Sequence, residues 1–272
     1  MKTRIISGIV MIAIVIAVLV AGLMFNPLVI TLFIALLCAV GTYELLCNAC
    51  KIEDKVCLIG ACVYAVVMTS VLDVNISKYL KSSFYPFCVT AIYFVFAVIM
   101  ILKNHKSFTL DKIAVFSAMP IFICYAFNTL SSVINHENGI YYLLLLLNFS
   151  SCCDMGAYFV GVTMGKHKLC PEISPKKTVE GAIGGIVTSV IVALILVLCF
   201  NRTDKILLTL LLTVPLCIVG MLGDLFASSI KRAVGIKDYG TLIPGHGGVL
   251  DRVDSILLIA PVLYMFVNFG VI

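Results

Sequence analysis

Charge is scarce in this sequence of 272 residues, and that scarcity excludes a soluble globular domain. Only 12% of the residues are charged, whereas 62% are hydrophobic and the mean hydropathy is +1.15. A typical soluble domain carries about 25% charged residues. Apolar runs of about 20 residues recur, and each is long enough to cross a hydrocarbon core of about 30 Å as a helix. Because a porin-like barrel shows only weak alternation of apolar and polar residues, the runs predict an all-α, polytopic membrane protein.

The N-terminus lacks the small-residue cleavage site of a signal peptide, and its apolar stretch is too long for one. No charge occurs between Ile5 and Tyr43, and Asn26-Pro27 interrupts this region as a turn signal. We therefore expect two spans in a tight hairpin. Over the whole chain the runs predict nine spans, at residues 5–25, 28–46, 57–72, 84–102, 112–131, 140–161, 179–200, 206–228 and 253–271.

The basic residues are distributed unequally between the two sides of these spans, which predicts the orientation by the positive-inside rule. Of the 19 lysines and arginines, four fall on one side, namely Lys78, Lys81, Arg202 and Lys205. The other fifteen include Lys2 and Arg4. We therefore expect a protein of the inner (cytoplasmic) membrane with its N-terminus in the cytoplasm. The polar loops 162–178 and 229–252 then also face the cytoplasm. We divide the chain into N-terminal helices (1–135), for packing and a lipid groove, and a catalytic region (136–272).

The sequence also lacks the patterns of several metal and catalytic sites. Cys47-Asn-Ala-Cys50 has no second CxxC pair, which argues against a zinc or iron–sulfur centre. Most of the twelve cysteines lie in apolar runs, where they act as small hydrophobes. No convincing Ser-His or Cys-His arrangement for a nucleophile is present.

Carboxylates within apolar segments are the first positive indication of function. An acid inside a bilayer costs about 2.5–3.5 kcal/mol on insertion scales, and Asp154 and Asp224 are each flanked by apolar sequence. Glu44 is similar, but it lies near a span end that water can reach. Asp251 and Asp254 are spaced i, i+3 and share a helix face, although helix capping alone would explain this pair. Together these acids favour Mg²⁺, which binds one or two carboxylates plus substrate phosphates.

Two basic segments predict binding of anions. "SPKKT" at 174–178 favours a helix start, with Ser174 as N-cap, Pro175 at the first position, and Lys176 and Lys177 beside the backbone N–H groups. The alternative is a basic loop that only sets the topology.

The second segment is "PGHGG" at 244–248. Gly247 and Gly248 allow close approach of a ligand, and successive free N–H groups can form an anion-binding nest. Its basic neighbours are Lys231, Arg232, Lys237 and Arg252. His246 is a donor to phosphate or a purely structural residue.

These features favour an enzyme acting on phosphates at the cytoplasmic face over an ion-coupled transporter. Transporters place their acids near the bilayer midplane and often have repeated halves. Here the polar residues gather in loops and at helix ends, and no repeat is apparent.

The segment from Ser228 to Asp254, "SSIKRAVGIKDYGTLIPGHGGVLDRVD", closely resembles the signature of the phosphatidate cytidylyltransferase (CDP-diacylglycerol synthase) family. "GDLFA" before it, "DMGAYFVG" at 154–161 and "SPKKTVEG" at 174–181 also resemble that family. Met155 departs from the pattern, where a small hydroxyl residue is usual. The N-terminal half resembles the family only in being hydrophobic.

The resemblance implies a Mg²⁺-dependent enzyme, aided by K⁺ and homodimeric, that converts CTP and phosphatidate to CDP-diacylglycerol and pyrophosphate. By this resemblance, Asp224 and Asp251 would bind the metal ion. Asp254 would orient Arg252 or a second cation, and Asp154 would be an additional carboxylate at the site. Lys231, Arg232 and Lys237 would neutralise CTP or pyrophosphate, and Ser174, Lys176 and Lys177 would engage the lipid phosphate. The remaining residues expected at the site are Ser228, His246, Gly247, Gly248 and Arg252. A lipid kinase of related architecture and a transporter remain alternatives, whereas the D-x-x-D-G-x-x-A-R pattern of CDP-alcohol phosphotransferases is missing.

Overall fold

The computed structural model describes residues 2–73, 75–76 and 84–272, so Lys78 and Lys81 lie outside the described residues. Ten α-helices are described, and two of them are extended by π-helical segments. The helices are α1 (Lys2–Met24), α2 (Leu28–Tyr43), α3 (Lys55–Leu72), α4 (Tyr85–Lys103), α5 (Leu110–Ile134), α6 (Gly139–Leu147), α7 (Cys153–Met164), α8 (Val179–Cys199), α9 (Ile206–Ala233) and α10 (Leu250–Asn268). The π-helical segments are Glu44–Ala49 after α2 and Asn148–Cys152 between α6 and α7, and Thr203–Lys205 forms a 3-10 turn.

The predicted class, an all-α polytopic membrane protein, is confirmed. Within the described ranges, eight helical segments are long and apolar enough to cross a membrane, against nine spans predicted. The difference is α10, which was the ninth predicted span. Its first turns carry Asp251, Arg252 and Asp254, so no membrane-length window of this helix is nearly free of charge.

Two predictions about the polar loops were wrong in detail. "SPKKT" does not begin a helix: Ser174–Thr178 is a strand (β2) that pairs antiparallel with Lys168–Cys170 (β1). The residue before a proline avoids the α conformation, so Ser174 is extended, and Thr178 caps α8 by accepting from the N–H of Gly181 at 3.1 Å. The predicted loop 229–252 is also shorter, because α9 continues to Ala233 and α10 already begins at Leu250.

The chain forms two compact units. The first contains the chain up to Ser132 together with Ile236–Arg252, and the second contains Val133–Gly235 and Val253–Ile272. The functional division predicted at 135/136 stays a prediction, but the fold assigns the glycine-rich segment to the N-terminal unit.

The core of the first unit is aromatic and aliphatic. Phe116 and Phe127 are fully buried, and the rings of Tyr64 and Tyr93 stack with their centroids 4.1 Å apart. Tyr93 also donates its hydroxyl to the Phe116 carbonyl at 2.5 Å. By contrast, α1 has only 6% of its most apolar window buried, which leaves its apolar side chains available to lipid.

In the second unit, glycines bring helices into close contact. A Cβ on Gly181 would lie 2.7 Å from the Ala157 carbonyl oxygen, and one on Gly185 would lie 2.6 Å from that of Cys153. The absence of a side chain at these positions therefore lets the helices pack closely. In the same way, Gly223 of α9 packs against the backbone of Asp254 and Ser255 at the start of α10.

Candidate functional site

The glycine-rich segment of the first unit forms a tight turn. Gly245 and Gly247 have φ values of +78° and +90°, which favour glycine because an added Cβ would be strained. The N–H of Ile243 donates to the Gly247 carbonyl at 2.9 Å, while the N–H groups of His246 and Gly247 donate back to the Ile243 carbonyl at 2.9 and 3.1 Å. The turn is therefore held by its own backbone.

The predicted nest of free N–H groups is not found in this turn, because protein carboxylates already accept from the groups that follow it. Glu44 accepts from the N–H groups of Val249 and Leu250, at 3.0 Å each. Asp251 accepts through one carboxylate oxygen, Oδ2, from the N–H of Gly248 at 3.0 Å and from that of Tyr239 at 2.7 Å. The N–H groups of residues 246–250 therefore do not form an anion-binding nest.

Asp251 thus has a structural task besides the metal role predicted for it. It is 7% exposed, and its two backbone hydrogen bonds tie both ends of the segment 239–248 to the first turn of α10. The carboxylate of Asp251 is thereby fixed at the base of the turn.

Glu44 is a site residue whose role sequence reasoning missed. It is 3% exposed, and it begins the π-helical segment Glu44–Ala49, from which Asn48 also donates to the Tyr239 carbonyl at 2.6 Å. Cβ atoms added to Gly240 or Gly248 would collide with the Glu44 carboxylate. The sequence did contain a signal for this role, namely an acid inside an apolar span with the polar Asn48 four residues later. The structure adds that both residues lie in a π-helical segment, a feature that is frequent at functional sites.

A cavity of about 460 Å³ opens beside this turn in the first unit, within the usual size range of ligand pockets. The residues that line it include Lys237, Asp238, His246 and Arg252, together with Arg4 from α1. The lining thus contains three permanently cationic residues and one acid. The balance of charge favours an anion, as predicted for Lys237, Arg252 and His246, and the Gly247 backbone also lines the cavity.

The second unit contains a separate cluster of carboxylates and lysines. Asp224 on α9 forms a salt bridge with Lys177 at the end of β2. Asp254 on α10 lies 4.0 Å from Lys231, which is 7% exposed in the last turn of α9. Asp154, in the first turn of α7, is close enough to Lys177 and Asp224 to interact electrostatically with both.

The hairpin that carries Lys177 is fixed at its base by Glu180. This residue accepts from the N–H groups of Lys166 and His167 at 3.0 and 3.2 Å, and it pairs with the His167 ring at 2.6 Å. Lys176 is exposed on β2 and Ser174 is half-buried. Of the residues predicted for the lipid phosphate, Lys177 is therefore engaged by a carboxylate while Lys176 faces outward.

The other predicted residues lie on α9. Ser228 is half-buried there, and Arg232 is exposed in its last turn. Their roles stay predictions. Met155, the departure from the family pattern, is 55% exposed on α7, so its side chain is not part of the core.

The carboxylates are suitable in kind for Mg²⁺. Among the described residues, no group of three His, Cys, Asp or Glu side chains could hold a metal ion without other ligands. Mg²⁺ is usually bound by one or two carboxylates, with substrate phosphates and water completing its coordination. Asp224 and Asp251, each taken in its own unit, therefore have the oxygen donors that suit such an ion.

The apolar helices define a multi-pass membrane protein, and its polar residues gather in the cationic cavity and in the carboxylate–lysine cluster. The model of the cytidylyltransferase family matches residues 2–270, and this chain belongs to that family. The predicted family resemblance is confirmed.

Curated relatives agree with the family match. The chain is 34% identical over 266 residues to a phosphatidate cytidylyltransferase of Staphylococcus epidermidis, covering 97% of both proteins. It is 40% identical over 174 residues to the enzyme of that name from Bacillus subtilis and 46% identical over 127 residues to that from Staphylococcus haemolyticus. The chain spans 65% and 49% of the length of these last two relatives.

Proposed function

We propose that this protein is a phosphatidate cytidylyltransferase, which makes CDP-diacylglycerol and pyrophosphate from CTP and phosphatidate. The observation that supports it most strongly is the fold of the motif at 228–254. Lys237 and Arg252 of this motif line the cationic cavity and Lys231 lies near Asp254, in a chain of the cytidylyltransferase family.

The reaction needs little covalent help from the protein. A phosphate monoester has a second pKa near 6, so phosphatidate is largely a dianion at neutral pH. One of its oxygens attacks the α-phosphorus of CTP, the bond from that phosphorus to the bridging oxygen breaks, and pyrophosphate leaves with the electron pair. No general base is required for this attack.

The main barrier is repulsion between two polyanions, and the basic side chains lower it. Lys237, Arg252 and His246 would hold the polyphosphate in the cavity of the first unit, with Gly248 keeping the turn close to Glu44. Lys231 and Arg232 would neutralise the charge that develops on pyrophosphate.

On the lipid side, Ser174, Lys176 and Lys177 would engage the phosphate of phosphatidate. The pairing of Lys177 with Asp224 orients the lysine before substrate arrives. The active site would face the cytoplasm, where CTP is available, while phosphatidate arrives laterally from the bilayer.

Mg²⁺ would be held by Asp224 and Asp251, and when bound it would neutralise charge on the triphosphate. Asp254 and Asp154 would add negative potential for that ion or for K⁺. The enzyme is proposed to act as a homodimer, as the resemblance implies.

The test uses purified protein in mixed micelles with phosphatidate, Mg²⁺ and radiolabelled CTP. The proposal expects label from the α-phosphate to enter the lipid fraction, and expects the transfer to stop when EDTA removes Mg²⁺ and to resume when Mg²⁺ is restored. Transfer of the γ-phosphate of ATP to the lipid would instead indicate a lipid kinase. Activity that is unchanged by EDTA would contradict the metal assignment.

A further inference from the structure

The first helix contributes a side chain to the cationic cavity, although its sequence predicts only a membrane anchor. Arg4 lies in the lining of the cavity. A Cβ on Gly245 would lie 2.8 Å from Cγ of Arg4, so the aliphatic part of the arginine packs directly on the glycine turn. The residue is exposed, which leaves its guanidinium able to meet a ligand.

A second contact fixes α1 against the same turn. The Ser7 hydroxyl lies 2.9 Å from the Pro244 carbonyl oxygen and 2.9 Å from Nδ1 of the His246 ring. Gly8 lies beside this ring, with a virtual Cβ 3.7 Å from it. Because Arg4 and Ser7 are three residues apart, they share one face of the helix, and that face meets the turn. Two independent side-chain contacts therefore hold the arginine at the cavity.

The arginine matters to the cavity because much of the glycine-rich turn offers no backbone donor to a ligand. The N–H groups of residues 246–250 donate to Ile243, Asp251 and Glu44. The positively charged or ring N–H donors in the lining of the cavity are those of Lys237, His246, Arg252 and Arg4. Of these, the arginines can bind phosphate oxygens in a bidentate manner.

We infer that Arg4 binds the polyphosphate of the nucleotide substrate and that Ser7 positions His246 in the wall of the same pocket. This inference rests on the proposed function and deepens it. The phosphate of phosphatidate has the same chemistry, but the lining contains a single large apolar side chain, Ile243, among charged, polar and glycine residues. Such a lining suits a triphosphate rather than a headgroup attached to acyl chains.

The test compares Arg4→Gln with wild type, measuring the Kd for CTP of the purified protein and the separate KM values for CTP and phosphatidate. Loss of one charge-assisted interaction predicts a rise of about tenfold or more in Kd and KM for CTP, with KM for phosphatidate unchanged. Arg4→Lys should lie between Arg4→Gln and wild type, because it keeps the charge but loses the bidentate geometry. Thermal unfolding of each variant checks that the protein is folded.

Two controls separate binding from topology. Thr3→Arg combined with Arg4→Gln keeps the N-terminal charge that orients the first span, yet moves it off the face that meets the turn, so it should remain as defective as Arg4→Gln. Lys106→Gln removes an exposed cation elsewhere in the first unit and should leave the Kd for CTP unchanged.

Recovery of wild-type affinity in the double variant, or an Arg4→Gln affinity within twofold of wild type, would overturn the inference. A rise confined to the KM for phosphatidate would assign Arg4 to the lipid headgroup and would also overturn it. The proposed function fails separately, when wild-type protein transfers no label from CTP to lipid.

Discussion

Asp251 combines two tasks that a single substitution can separate. Its carboxylate accepts two backbone hydrogen bonds, and its charge is proposed to bind Mg²⁺ on the triphosphate. Asp251→Asn keeps an oxygen acceptor for the backbone but removes the charge. We expect kcat to fall by a factor of about 10² to 10³ while the protein stays folded in detergent, as measured by initial rates and thermal unfolding.

Asp251→Ala serves as the structural comparison, because it removes the acceptor as well. We expect it to lower the unfolding temperature in addition to abolishing turnover, since two buried N–H groups lose their partner. Substantial activity in Asp251→Asn would rule out the metal role and leave only the role of Asp251 in holding the segment 239–248.

We expect Glu44 to affect binding by positioning the glycine turn rather than by contacting the substrate. Glu44→Gln keeps one carbonyl acceptor but places an amide NH₂ against a backbone N–H, so one hydrogen bond is lost. We expect a destabilisation of about 1–3 kcal/mol and a higher KM for CTP with a smaller change in kcat, because the cavity wall loosens. Steady-state kinetics and chemical unfolding measure both effects.

The matched control is Glu53→Gln, which removes an exposed carboxylate from the same unit. It should leave both KM and stability unchanged. If Glu44→Gln behaved like this control, Glu44 would have no positioning role.

Among the structural elements, the glycine turn and the π-helical segment Glu44–Ala49 pack against each other through the Glu44 carboxylate. A larger residue at position 248 is excluded by the Glu44 carboxylate that lies against it, rather than by the backbone conformation of Gly248. Gly248→Ala should therefore destabilise the protein and lower the affinity for CTP. Gly8→Ala is the control, because its Cβ would make only an ordinary contact at 3.7 Å and alanine favours the helix.

Thermal unfolding in detergent and CTP binding provide the comparison between these two variants. Equal behaviour of Gly248→Ala and Gly8→Ala would mean that the close contact between the turn and Glu44 is not needed.

The same elements show which parts of the fold the sequence could predict. Long apolar runs predicted the helices well, because hydrophobicity over about 20 residues is an additive, local property. The acid–base character of the site was also predictable, since polarity is conspicuous in an apolar chain. The strand at Ser174–Thr178 was missed because "SPKKT" fits both a helix start and a hairpin; pairing with Lys168–Cys170 decides between them.

The roles of Glu44 and Arg4 were not predictable in this way. Glu44 meets Val249 and Leu250 across more than 200 positions of the chain, and Arg4 meets Gly245 across a similar separation. No local pattern encodes such contacts. The nest of free N–H groups was predicted for a related reason: the sequence shows donors, but it does not show which carboxylates already accept from them.

For the molecule as a whole, the proposed reaction requires the polar loops to face the cytoplasm, where CTP is available. The distribution of basic residues predicts that the hairpin at 165–178 is cytoplasmic and that the short connection around Thr203 is not. A variant that keeps only Cys170 should react with an impermeant maleimide in inverted membrane vesicles but not in right-side-out ones. Thr203→Cys in a cysteine-free background should show the opposite labelling.

Labelling of both positions from the same side would refute the predicted orientation. The cysteine-free protein must first retain CTP binding, which we expect because none of the twelve free cysteines lines the cavity in the part of the chain that the structure describes.

The fate of the two ends of CTP tests the proposed reaction most directly. Purified protein, phosphatidate and Mg²⁺ are incubated with CTP that carries distinguishable labels in its α- and γ-phosphates. We predict that the α-label enters the lipid and the γ-label leaves as pyrophosphate in equal amounts, and that neither moves without phosphatidate. Entry of the γ-label into lipid, or release of pyrophosphate without formation of labelled lipid, would contradict the account.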